Sequence, residues 1–74
     1  VDEKKRSGLM AALEKLPMRQ KEVIQLLFFE SHSYEDTSNI MGINIQSVYT
    51  LAWKAISNLK KTILSLLLML NLYH

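Results

Sequence analysis

Tyr34-Glu-Asp-Thr-Ser-Asn-Ile-Met-Gly-Ile-Asn-Ile-Gln-Ser-Val-Tyr-Thr-Leu-Ala-Trp-Lys54 is the stretch on which the fold turns. Ser33, just ahead of it, suits a helix N-cap because its hydroxyl can accept from an N–H of the first turn, with Asp36 as a weaker capping-box partner. The helix expected from there covers Tyr34 to Met41 and turns Ile40 and Met41 to the core. Gly42 stands where a helix end needs a left-handed residue with no Cβ to crowd it. Ile43 then pins the turn, and Asn44 caps a helix that begins near Ile45. Two helices across such a tight turn form a helix-turn-helix. That geometry asks for a small residue at the crossing, a glycine in the turn and a branched apolar residue in the second helix. Ser38, Gly42 and Val48 supply them, four and then six residues apart, supported by Met41, Ile43 and Leu51. A plain helical hairpin with a glycine cap would show the same Gly42, so the flanks matter.

Upstream, Leu9, Met10, Leu13 and Leu16 recur at helical spacing and predict a first helix over Gly8 to Leu16. Pro17 ends it, because the residue before a proline is pushed out of helical geometry, and the same Pro17 opens the next helix without losing a hydrogen bond. That helix is expected from Pro17 to Phe29, burying Val23, Ile24, Leu27 and Phe28, before the polar break Glu30-Ser-His-Ser33. Downstream, Val48, Leu51, Ala52, Ala55 and Leu59 form an inward stripe, with no breaker before the chain ends. The expected fold is all-α: a compact four-helix domain with a helix-turn-helix, its last helix long and extended by an apolar tail over residues 62–74. A single domain over 1–74 is expected, with the helix-turn-helix at 34–54. The lack of an initiator Met points to a fragment of a longer chain.

With 74 residues and no cysteine, stability must come from packing, and 49% hydrophobic residues give material for it. His32 and His74 have no partner at ligand spacing, and no Ser, His and acid set is placed for nucleophilic catalysis; neither enzyme activity nor a cofactor or metal is expected. The charged start Val1-Asp-Glu-Lys-Lys-Arg6 does not read as a secretory signal. Net charge is +2, but all seven acids lie in residues 1–36, whereas 37–74 carry only Lys54, Lys60 and Lys61. The second half is therefore the side suited to a phosphate backbone. Gln46, Ser47, Tyr49, Thr50, Trp53 and Lys54 lie off the apolar stripe at the end where such helices meet base edges.

Leu13-Glu-Lys-Leu-Pro17, Arg19-Gln-Lys-Glu-Val23, Ser33-Tyr-Glu-Asp36, Ile40-Met-Gly-Ile43 and Ser47-Val48 together resemble region 4 of bacterial sigma factors. The likeness runs from about Leu9 to Lys61 and is greatest to the extracytoplasmic-function group, in forms common in the Bacteroidetes. It implies a cytoplasmic, non-catalytic domain that binds the −35 promoter element with its last helix in the major groove. The other helices would dock the flap of core RNA polymerase, and an anti-sigma factor would be a regulatory partner. Carried onto this chain, the base-reading residues are Gln46, Ser47, Tyr49, Thr50 and Lys54. Glutamine can pair with adenine, and Ser or Thr can reach base or phosphate. Arg19, Ser33 and Tyr34 match backbone-contacting positions, with Trp53 flanking; such contacts set register rather than sequence. Each has a plainer reading: Arg19 as a solvated helix residue, Tyr34 as packing and Trp53 as a partly buried core aromatic, the last two preferred.

The chain departs from the family pattern. Asp36-Thr-Ser38 replaces the usual Glu-Ile-Ala, so Thr37 puts a hydroxyl where an isoleucine normally packs and should weaken the helix contact. Tyr49 and Leu51 stand where Lys and Arg are common, leaving Lys54 as the one cation of the reading helix before Lys60. Weak autonomous DNA binding is expected, since each lost phosphate contact lowers the salt slope by about one. From Ile63 to Tyr73 only Ser65 and Asn71 are polar. Eleven helical residues reach about 16 Å, short of the ~30 Å of a bilayer core, so burial against protein is expected rather than membrane insertion. The tail would fold back on the first two helices, self-associate through Ile63–Tyr73 or occupy a partner's groove. Two other functions fit the residues: the DNA-binding domain of a response regulator, or an interaction module acting through its tail.

Overall fold

The computed structural model describes residues 3–72, and these form four helices with no strand among them. Helix α1 spans Glu3–Glu14, α2 Met18–Ile24, α3 Tyr34–Met41 and α4 Ile45–Leu72; α2 runs on into a π-helical turn, Gln25–Phe29. The helix-turn-helix is α3, Gly42 to Asn44, and the start of α4. The 28 residues of α4 account for the elongated shape, 47 × 21 × 16 Å, since a helix of that length measures about 42 Å.

The capping chemistry follows the sequence closely. Ser33 is extended (φ −71°, ψ 166°), and its Oγ accepts from the Asp36 N–H at 3.0 Å. The reciprocal bond from the Ser33 N–H to the Asp36 carboxylate does not form among the described residues. Gly42 is left-handed (φ 68°, ψ 34°), and the Ile43 N–H donates to Ser38 O at 3.1 Å. Asn44 Oδ1 accepts from the Ser47 N–H at 2.8 Å and opens α4. Pro17 stands at the N-cap of α2 with ψ 149°, one residue ahead of the first helical position.

One core joins the helices: Leu16, Val23, Ile24, Leu26, Met41, Val48, Ala52 and Ala55, with Leu13, Leu27, Tyr34, Ile43, Leu51 and Leu59 packed around it. Val23, Val48 and Thr37 are sealed from solvent. A part-buried bond from Asn58 Nδ2 to Gln20 Oε1 at 2.8 Å ties α2 to α4.

Several expectations need correction. The first helix begins at Glu3 and stops at Glu14, so Leu16 packs from the connector and Ala12 takes the inward place expected of Leu9 and Met10. Phe28 is exposed and Leu26 buried instead. Leu26 follows buried Val23 by three residues, the usual spacing of one helical face, and the helix then ends in a π-helical turn in which the Glu30 N–H donates to Gln25 O at 3.0 Å. Ile40 is also exposed. Tyr34, Thr37, Ser38 and Met41 share one face of α3, and at about 100° per residue Ile40 falls some 120° away.

Candidate nucleic-acid interface

The start of α4 has the electrostatics of an anion-facing helix end. Its first turn carries no acidic residue, and aligned peptide dipoles leave partial positive charge there. The inward stripe Val48, Ala52 and Ala55 is buried, which turns Gln46, Tyr49, Thr50, Trp53 and Lys54 to solvent, with Ser47 half-buried beside them. The five residues expected to read bases thus lie on the N-terminal turns of one helix. Thr50 Oγ1 donates to Gln46 O at 3.1 Å, so its proton is engaged while its methyl and remaining lone pair stay available.

Tyr49 is held in place. Its ring stacks on that of Tyr34, centroids 4.3 Å apart and planes 18° from parallel. Such a pair adds about 0.5–1.5 kcal/mol beyond its buried area and here pins the first turn of α3 to α4. Tyr34 also packs against the core, so it is first a structural residue. No periodicity could have announced the stack, since its partners are fifteen residues apart on different helices.

The expected backbone contacts are dispersed. Ser33 is exposed and its Oγ accepts from Asp36, which leaves its proton free to donate. Arg19 lies on α2, where Nη1 meets Glu22 Oε2 at 3.4 Å with both side chains about half exposed, a pairing weak enough to exchange for a phosphate. Trp53 is 70% exposed, which overturns its reading as a partly buried core residue. Its neighbour Ala52 occupies the inward position, and one helical step swings the indole out by about 100°.

Away from this face, Met10, Leu13, Ile24 and Phe29 line an apolar groove of about 350 Å³ between α1 and α2, rimmed by Glu14, Lys21 and Gln25. Farther along α4, the tail residues from Ile63 to Leu72 are all exposed; α1 approaches them at Gly8, where a Cβ would lie 3.2 Å from Leu66 Cδ1. Tyr73 lies outside the described residues. By length and composition alone α4 could cross a membrane, but its uncharged run from Thr62 to Leu72 reaches only about 16 Å.

Residues 6–59 match the family model for sigma-70, region 4. One chain in the 1.8 Å structure of the RsbN–BldN complex is similar at 28% identity and a TM-score of 0.74, over 77% of this chain. The match spans 41% of the length of that solved chain. No curated protein matches significantly.

Proposed function

The chain belongs to the sigma-70 region 4 family, and from that membership we propose that it presents the N-terminal turns of α4 to the −35 promoter element during transcription initiation. The family is non-enzymatic. Membership displaces the response-regulator alternative. The observation that carries the reading is the start of α4: capped by Asn44, free of acids, and facing solvent with Gln46, Thr50 and Lys54 together.

In this reading Gln46 and Lys54 reach base edges, Ser47 and Thr50 reach base or phosphate, and Tyr49 meets the groove from a position fixed by Tyr34. Ser33, Arg19 and the exposed Trp53 contact the backbone and set register. The apolar groove between α1 and α2 suits docking on the flap of core RNA polymerase. Assignment to the extracytoplasmic-function group is supported by the motif series from Leu13-Glu-Lys-Leu-Pro17 through Arg19-Gln-Lys-Glu-Val23 to Ser47-Val48. Regulation by an anti-sigma factor follows from that assignment, as does a cytoplasmic site of action.

Transcription from a cognate promoter by polymerase reconstituted with this protein tests the reading. Gln46→Ala combined with Lys54→Ala should lower output by about fivefold or more and shift promoter preference, since a good base contact discriminates by about 1–3 kcal/mol. Unchanged output and preference would remove both residues from the interface.

A further inference from the structure

The face that α4 turns to solvent at its N-terminal end is more apolar than a hydrogen-bonding reader requires. Gln46, Tyr49, Thr50 and Trp53 stand at i, i+3, i+4 and i+7, the spacing of one helix face. That face lies roughly 140° round the helix from the buried stripe Val48, Ala52 and Ala55. Gln46 alone among the four brings an amide. Tyr49 is 48% exposed and Trp53 70%, and Ile45, one turn before Tyr49, is 43% exposed. Thr50 Oγ1 donates to Gln46 O at 3.1 Å, so this side chain offers outward a methyl and an acceptor but no donor. Lys54 lies at the margin, about 90° from the centre of the face.

The Tyr49 ring is also held rather than merely exposed. The stack on Tyr34, with centroids 4.3 Å apart, covers one ring face and leaves the rest of the ring open. A side chain fixed in this way has little rotamer freedom left to lose when it meets a partner.

We infer that this face recognises the C5 methyl groups of thymine in the major groove, with Tyr49 and the Thr50 methyl as the specificity-determining groups. The inference rests on the promoter reading and names what that site selects. DNA is the occupant because the same turns form the capped, acid-free helix start of a sigma-70 region 4 domain. Within the major groove the thymine methyl is the one apolar feature; the other base-edge groups are hydrogen-bond donors or acceptors. Tyr49 stands where lysine is common in the family, so an apolar contact replaces a salt-dependent one at that position. Gln46 beside it suits adenine, and the two chemistries together favour A·T pairs. From Gln46 to Trp53 the face runs about 10 Å, the length of about three base-pair steps.

Deoxyuridine pairs as thymine does but lacks the methyl, so placing it at each thymine of the −35 element in turn removes the recognised group alone. Binding of the cognate promoter by polymerase reconstituted with this protein is the readout. At one or more positions deoxyuridine should weaken binding by about fourfold, the worth of one buried methyl-sized group. That ratio should hold between about 50 and 200 mM salt while overall affinity falls, because no ion is released by a methyl contact. Thr50→Ser keeps the bond to Gln46 and loses only the methyl, and it should reduce the ratio. Tyr49→Lys combined with Thr50→Ser should bring it close to one, whereas Tyr49→Phe, which keeps the ring and the stack, should retain it. Deoxyuridine tolerated at every position, while Gln46→Ala still shifts promoter preference, would overturn thymine recognition and leave the promoter reading standing. Binding indifferent to replacement of the whole −35 element would remove both. A ratio undiminished in the double variant would place the methyl contact on other residues and overturn the inference.

Discussion

Thr37 carries its hydroxyl in a place closed to solvent, and among the described residues Oγ1 has no hydrogen-bond partner. A buried polar group left unpaired costs about 1–3 kcal/mol. Thr37→Val keeps the shape and removes that cost, so it should raise stability by about 1–2 kcal/mol in urea unfolding; a loss would show that the hydroxyl is bonded. This defect was readable in advance, because Thr37 replaces an isoleucine in the family pattern. Ser31 was not readable in the same way. It adopts φ 58° beyond the π-helical turn, without the freedom that makes Gly42 suitable at φ 68°. Left-handed geometry costs an L-residue about 1–2 kcal/mol, so Ser31→Gly should stabilise the fold and Gly42→Ala should destabilise it by amounts of that order. A Cβ at Gly42 meets nothing within 4 Å, so the second change isolates backbone conformation from crowding. Thermal unfolding of the two variants should move in opposite directions.

Helices whose ends carry side-chain caps were legible in the sequence, and those whose register depends on distant packing were less so. Ser33, Gly42 and Asn44 fix α3 and the start of α4 through local hydrogen bonds, which sequence alone can specify. The end of α2 is different. Val23, Ile24 and Leu27 read as one helical face, yet Leu26 is buried and Phe28 exposed, and the helix closes in a π-helical turn. Nothing local in the sequence distinguishes five-residue from four-residue hydrogen bonding there. The Gln20–Asn58 bond and the Tyr34–Tyr49 stack were hidden for the same reason, since each joins residues of different helices. Among the candidate DNA contacts, the face of α4 followed from its stripe, whereas Trp53 did not, because a helix flank leaves burial undecided. At this scale Asn44→Ala should cost about 1 kcal/mol by removing the cap of the reading helix. A double-mutant cycle between Gln20 and Asn58 should show coupling of about 1 kcal/mol; additive effects would mean that the bond does not help hold α2 on α4.

As a whole the molecule sets a capped, acid-free helix end against a core built from the remaining helices, with the acids confined to residues 1–36. So few cations near the reading face imply a shallow salt dependence. The slope of log K against log[salt] for promoter DNA should be flatter than about −3, and Lys54→Ala should reduce it by a further 0.9 or so. The tail extends α4 well beyond its N-terminal turns, so the candidate DNA face and the apolar tail lie at opposite ends of one rod. In the promoter complex the N-terminal turns of α4 are proposed to lie on the −35 element. A photo-crosslinking residue in place of Gln46, activated within a polymerase–promoter complex, addresses it directly. Adducts should map to the −35 element and vanish when that element is replaced. Adducts elsewhere on the promoter, or none where transcription is intact, would contradict it.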